Sequence, residues 1–213
     1  MIRFGLTNVR TVLCLGAHAD DIEIGCGGTL LKLWADHAIQ RVCWVVFGAG
    51  GARADEARRS SERWLEGVTE PCLHIHAFRD GFFPFEGAKI KERFQELGAH
   101  ISPDVIFTHR REDMHQDHRL VAELTWQTFR DHLILEYEIP KYEGDLGSPN
   151  VLVPLDESTC REKIKHLLQA FSSQRSKPWF REDAFWSLLR LRGIECHSPT
   201  GYAEGVYCRK LTI

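Results

Sequence analysis

Two short, almost uninterrupted apolar runs, Thr11–Ala17 (TVLCLGA) and Arg41–Phe47 (RVCWVVF), flank a segment long enough for a helix. A strand that is apolar at successive positions needs cover on both faces, which a parallel sheet between two layers of helices provides. The alternation continues along the chain. Helices are expected over Ala54–Leu65, Glu86–His100, Asp117–Arg130, Glu157–Phe171 and Glu182–Arg192, and strands over Pro71–Phe78, Asp104–Thr108, His132–Ile139 and Val151–Leu155. Between the first two strands, Gly25-Cys26-Gly27-Gly28 opens a helical pattern that runs from Thr29 to about His37. Strands alternating with helices predict an α/β fold in three layers, a mostly parallel sheet with helices on both faces. The loops Arg79–Phe85, Lys141–Asn150 and Ser172–Arg181 are expected at the surface.

A length of 213 residues suits one domain spanning 1–213, with no internal repeat. The formal net charge of −3 gives no electrostatic case for nucleic acid or an anionic membrane as partner. Met1–Thr7 lacks the apolar run and small-residue cleavage site of a signal peptide, and no stretch is apolar enough to span a bilayer. The seven cysteines include no C-x-x-C pair, so neither a disulfide framework nor a cysteine zinc site is favoured, and a reducing cytoplasm is expected.

Two segments carry metal-capable residues at the ends of expected strands. Ala17-His18-Ala19-Asp20-Asp21 follows the first strand, and His115-Gln116-Asp117-His118 lies a few residues after the strand ending at Thr108. Ligands of open α/β sheets collect beyond the carboxyl ends of the strands, so both clusters fall on one edge. A catalytic zinc commonly takes three His or carboxylate ligands and keeps one position open. Amide hydrolysis adds a base for the attacking water and an acid for the leaving amine. Taken alone, either cluster reads equally well as a helix cap or a solvated loop; together they favour a shared metal site.

The sequence resembles the PIG-L/LmbE family of zinc-dependent N-acetyl-sugar deacetylases. The family's A-H-P-D-D element, continuing as E-x-G-x-G-G, is matched by Ala17–Asp21 and Glu23–Gly28, and its H-P-D-H by His115–His118. Thr108-His109, Asp113, the Arg53–Gly67 helix, Asp80-Gly81, Ser173-Gln174 and Tyr202-Ala203-Glu204 are also similar. The resemblance implies a Rossmann-like domain with His18, Asp21 and His118 as zinc ligands, and Asp20 as general base toward a metal-activated water. It further implies His115 as oxyanion stabiliser and acid, Asp117 orienting His115, and Arg53 and Asp80 as substrate contacts. The implied partner is a small N-acetylated amino sugar or glycoside, and similar proteins form homo-oligomers. Iron(II) fits the same donors as zinc. Hydrolysis of another amide or a cyclic amide, or a binding protein with a vestigial site, are the alternatives.

Ala19 and Gln116 replace the two motif prolines, a change expected to loosen the ligand loops without removing a ligand. A dinucleotide reading of the glycines fails, because Leu30 occupies the sixth position and no acid ends the second strand at Phe47-Gly48. The glycines instead fit close helix–strand packing behind the site. His74 and His76 read as a core-edge pair, and Trp179, Phe180, Phe185 and Trp186 as packing residues.

Overall fold

The computed structural model describes residues 5–212; the reading of the N-terminus at Met1–Phe4 lies outside them. Five parallel strands form the core of one sheet: β1 (Thr11–His18), β2 (Arg41–Gly48), β3 (Glu70–Ile75), β4 (Val105–His109) and β5 (Leu133–Tyr137). β6 (Val151–Leu155) and β7 (Tyr202–Cys208) extend it to the order β3-β2-β1-β4-β5-β7-β6, with β7 antiparallel to both neighbours. The helices are α1 (Asp21–Asp36), α2 (Ala52–Trp64), α3 (Gly87–His100), α4 (Gln116–Thr128), α5 (Glu157–Ala170) and α6 (Glu182–Glu195). The fold is therefore the expected three-layer, mostly parallel α/β sheet. Among the described residues no helix is long and apolar enough to cross a membrane.

Alternate strand residues feed two cores. Val12, Cys14, Val42, Trp44 and Val46 face the layer that includes α1 and α5. Leu13, Leu15, Cys43, Val45 and Phe47 face α3 and α4 through Ile90, Phe94, Val121 and Leu124. Both sides of β1 and β2 are buried, which explains their continuous apolar runs. Phe180 and Phe185 lie in the first core, with Trp179 and Trp186 packed against it, as expected.

Two sequence expectations are corrected. α1 starts at Asp21, not Thr29, so the glycine run lies inside the helix. Glycine is a poor helix former, but packing here requires its missing side chain. A Cβ at Gly25 would overlap the Tyr137 ring, and one at Gly28 would overlap Leu155 and approach Glu204 Oε1 to 2.9 Å. Glu204 accepts from the Gly28 and Thr29 N–H groups at 2.8 and 2.6 Å, while Lys163 Nζ donates to the Ile24 carbonyl at 2.7 Å and to Glu204 at 2.6 Å. A buried ion pair thus inserts beside the α1 hydrogen-bond ladder, where only glycine lets it approach. The second correction is β7, a strand through Tyr202–Cys208 that the sequence marks only by a family-like Tyr-Ala-Glu element. Its residues, Tyr-Ala-Glu-Gly-Val-Tyr-Cys, show little alternation, and its place between β5 and β6 is set by long-range pairing.

Candidate active site

β1 ends at His18, and the chain turns through Ala19 and Asp20 into the first turn of α1. β4 ends at His109, and a short loop leads through Asp113 to His115, the N-cap of α4. Because β1 and β4 are neighbours running in parallel, these turns emerge side by side at the carboxyl edge of the sheet.

His18 Nδ1 and His118 Nε2 are 3.1 Å apart, and Asp21 Oδ2 lies 3.4 Å from the first and 3.5 Å from the second. Around a tetrahedral zinc with bonds of 2.0–2.1 Å, two donor atoms stand about 3.3 Å apart. The triangle of two nitrogens and one oxygen therefore has the edges of a metal-binding face. The backs of both rings are engaged. His118 Nδ1 bonds Asp113 Oδ2 at 3.0 Å, and His18 Nε2 bonds Asp117 Oδ2 at 3.2 Å with Asp80 Oδ1 at 3.1 Å. Carboxylates behind metal-binding imidazoles fix the tautomer that aims a lone pair at the ion. Two such lone pairs converging 3.1 Å apart are satisfied by a cation between them. The donor set fits a divalent metal.

The electrostatics show an anionic pocket, which without an ion favours a proton on His18 and so also favours a cation in that proton's place. Burial disfavours charge on His18, but the carboxylates of Asp21, Asp117 and Asp80 outweigh it and raise its pKa well above the usual imidazole value. Burial likewise opposes ionisation of Asp21, yet the charges of His118, His109 and His18 hold its carboxyl well below the ordinary range. His118 is pushed down to about 4, first by burial and then by neighbouring His109, which leaves it neutral and able to donate a lone pair.

Asp20 is buried, and its Oδ1 accepts from Arg53 Nη2 at 2.6 Å, while Oδ2 has no protein partner. Burial raises its pKa, and the Arg53 charge partly offsets this. Arg53, expected at the substrate, is held on Asp20 and reaches Ser173 Oγ at 3.3 Å. Ser172 and Ser173 in turn bond Glu56, which explains the Ser-Gln signal near the C-terminus. Asp80 is largely exposed, at 78%, but contacts His18, so its carboxyl falls to about 2.

His115 Nδ1 accepts the Asp117 N–H at 3.2 Å, which leaves Nε2 to carry the ring proton. Its ring stacks on His118 at 4.5 Å and meets His18 edge-on at 5.0 Å. The carboxylate of Asp117 lies in one cluster with His18, Asp80 and His115, donor atoms within 4.8 Å of one another, but makes no hydrogen bond to the His115 ring among the described residues. It bonds His18 and accepts from the Gly81 and Phe83 N–H groups at 2.6 and 3.1 Å, which fixes the His18 ring. Gln116 Nε2 donates to the Gly81 carbonyl, where Gly81 takes a left-handed φ of +76°. That bond ties the Asp80-Gly81 turn to α4 and supplies a restraint where the motif proline is missing.

Asp113, marked in the sequence only by family likeness, holds both histidines: Oδ2 takes His118, and Oδ1 accepts the His115 N–H at 2.8 Å. Lys141 Nζ anchors it at 3.0 Å and pairs with Asp145 at 2.7 Å. No local pattern marks Lys141 or Asp145, which sit in a loop expected only to be exposed. His109 is fully buried, its Nε2 3.1 Å from Asp21 Oδ2 and its ring stacked 3.9 Å from His118. A cavity of about 660 Å³ between α5 and α6, lined by Arg161, Ile164, Phe180 and Trp186, shares none of these residues.

The sequence profile of the PIG-L family, described as GlcNAc-PI de-N-acetylase, matches residues 13–129, which includes both His/Asp segments. The chain belongs to the PIG-L family. Solved structures agree on the fold of this family member. A conserved protein from Thermus thermophilus is 21% identical, with 95% of each chain covered and a TM-score of 0.73. N,N'-diacetylchitobiose deacetylase from Pyrococcus horikoshii is 19% identical over 94% of this chain and 84% of its own, at 0.68. The 4-carboxy-2-hydroxymuconate hydratase from Pseudomonas putida is 16% identical over 96% and 98%, at 0.69.

Proposed function

We propose that this PIG-L family member is a zinc-dependent hydrolase that removes an N-acetyl group from an N-acetylglucosamine-type small molecule. The observation that carries the reading is the triangle of His18 Nδ1, His118 Nε2 and Asp21 Oδ2, with edges of 3.1–3.5 Å. These three residues would hold the ion. When bound, a divalent cation supplies Lewis acidity and brings the pKa of water to roughly 7.

The remaining roles belong to side chains around that face. Asp20 acts as general base through Oδ2, the oxygen left without a protein partner, while Arg53 fixes the carboxylate through Oδ1. His115 donates from Nε2 to the acetyl oxygen as it gains charge and then to the departing amine. Asp113 and Asp117 keep His118 and His18 in the tautomers that face the ion. Asp80, exposed beside His18, would meet a sugar hydroxyl.

The family description and the likeness to a chitobiose deacetylase support an amino-sugar amide as the bond cleaved. The likeness to a hydratase makes bond type the point an assay has to decide. The test pairs metal analysis with an acetate-release screen over N-acetylated amino sugars. One equivalent of zinc per chain and equal yields of acetate and free amine are expected. Amine released without acetate would redirect the assignment to another amide, and zinc-loaded protein that turns over no acetylated sugar would overturn it.

A further inference from the structure

A second cluster of reactive side chains lies away from this site. Cys43 on β2 and Cys72 on β3 are direct partners in the parallel register, so their side chains leave the sheet on the same face. Their sulfurs are 2.9 Å apart, well inside ordinary non-bonded contact. His74, two residues further along β3 on that same face, places Nε2 3.1 Å from Cys72 Sγ. β3 is an edge strand, where Cys72 is half-buried and His74 exposed, whereas Cys43 is 1% exposed in the core. One thiol is thus reachable from solvent with a base beside it, and the other waits behind it in contact.

We infer that Cys72 and Cys43 form a peroxide-oxidisable thiol pair, with Cys72 the attacking sulfur, His74 its proton acceptor and Cys43 the resolving sulfur. His74 takes the Cys72 proton, and the thiolate attacks one oxygen of hydrogen peroxide. The S–O bond forms, the O–O bond breaks, and the departing hydroxide takes the proton back from His74 as water. The Cys43 sulfur then attacks Cys72, the S–S bond forms, the S–O bond breaks, and the hydroxyl leaves with the Cys43 proton as a second water. Two thiols are oxidised and one peroxide is reduced. The 2.9 Å contact leaves about 0.9 Å to close to the 2.03–2.05 Å of a disulfide. A shared soft cation suits the cluster less well. Thiolates at about 2.3 Å from one tetrahedral ion stand about 3.8 Å apart, so the sulfurs would have to separate, and a structural site takes four donors where three meet here. Burial, reinforced by Cys72, also pushes the Cys43 thiol up, which disfavours the standing thiolate that a metal ligand would be.

The test is titration of the reduced full-length protein with hydrogen peroxide, followed by intact-mass measurement and non-reducing peptide mapping. Loss of the mass of two hydrogens, a Cys43–Cys72 linked peptide, free thiols lowered by two from seven, and reversal by dithiothreitol are expected. Cys43→Ser should stop at a sulfenic acid on Cys72 that dimedone traps, and His74→Gln, at an exposed position, should slow thiol loss several-fold. Wild-type mapping decides the matter even where a cysteine variant folds poorly. Oxidation of Cys72 to sulfinic acid with Cys43 untouched would overturn the pair. So would both thiols resisting peroxide, or protection of both by a retained zinc ion.

Discussion

His18 Nδ1 and His118 Nε2 lie 3.1 Å apart across a hundred residues of sequence, each with a carboxylate behind its other nitrogen. Replacing either histidine by alanine opens one corner of the proposed metal face. His118→Ala should lose stoichiometric metal by elemental analysis and lose acetate release with it. A chelator should do the same to the wild type, with recovery on adding zinc. Retained metal in His118→Ala would place the ion elsewhere.

Asp20 and Arg53 act as a unit, since the guanidinium holds one carboxylate oxygen at 2.6 Å and leaves the other free. Asp20→Asn should keep the metal and lower kcat by roughly 10²–10⁴, the usual contribution of a general base. Arg53→Ala should produce a smaller fall in kcat through a mobile Asp20. If Arg53→Ala raises KM alone, Arg53 binds substrate instead.

Asp113 steers two histidines, His118 through its ring and His115 through its backbone N–H. Asp113→Asn should weaken metal affinity by about 10–100-fold, as loss of a carboxylate behind a ligand does. Competition with a chelator of known affinity measures it. Wild-type affinity in the variant would reduce Asp113 to a loop anchor.

Glu204 and Lys163 form a buried pair against the glycine segment of α1. Glu204→Gln leaves the ammonium of Lys163 without its counter-charge, and breaking a buried pair costs about 3–5 kcal/mol. Gly25→Ala should destabilise by about 1–3 kcal/mol, because its methyl overlaps the Tyr137 ring. Urea unfolding gives both values; an unchanged midpoint for Gly25→Ala would mean that α1 stands off Tyr137.

His166 is packed edge-on against Trp64 and bonded to Ser60, which also bonds Glu23. Burial and, secondarily, Arg63 lower its pKa to about 4. Folded His166 therefore stays neutral while the unfolded chain takes up a proton near pH ~6.5. The associated stability is complete above pH ~6.5 and drains away as pH falls toward about 4, by roughly 1–3 kcal/mol. The stability gap between wild type and His166→Phe should shrink over that window. A constant gap would show that His166 protonates freely in the fold.

Much of this architecture is legible in the sequence. The continuous apolar runs of β1 and β2 announce strands covered on both faces, and strand ends tell where His18 and His118 must emerge. Residue chemistry nominates the two His/Asp segments because a three-ligand metal site needs those donors. Other features leave no local trace. Glycine is a poor helix former, so the helical pattern is legible only from Thr29; Tyr137, Leu155 and Glu204, which occupy the space a side chain would need, explain why Gly25–Gly28 lies within the helix.

The sequence by itself determined which donors exist and on which strand ends they sit, since periodicity and residue type are properties of the chain. Only the tertiary structure decided their partners: Asp117 behind His18, Arg53 on Asp20, and Lys141 behind Asp113. Hydrogen bonds and charge pairs act over about 3 Å. Distance in space at that scale comes from the packing of β1, β4 and α4, and no separation along the chain encodes it.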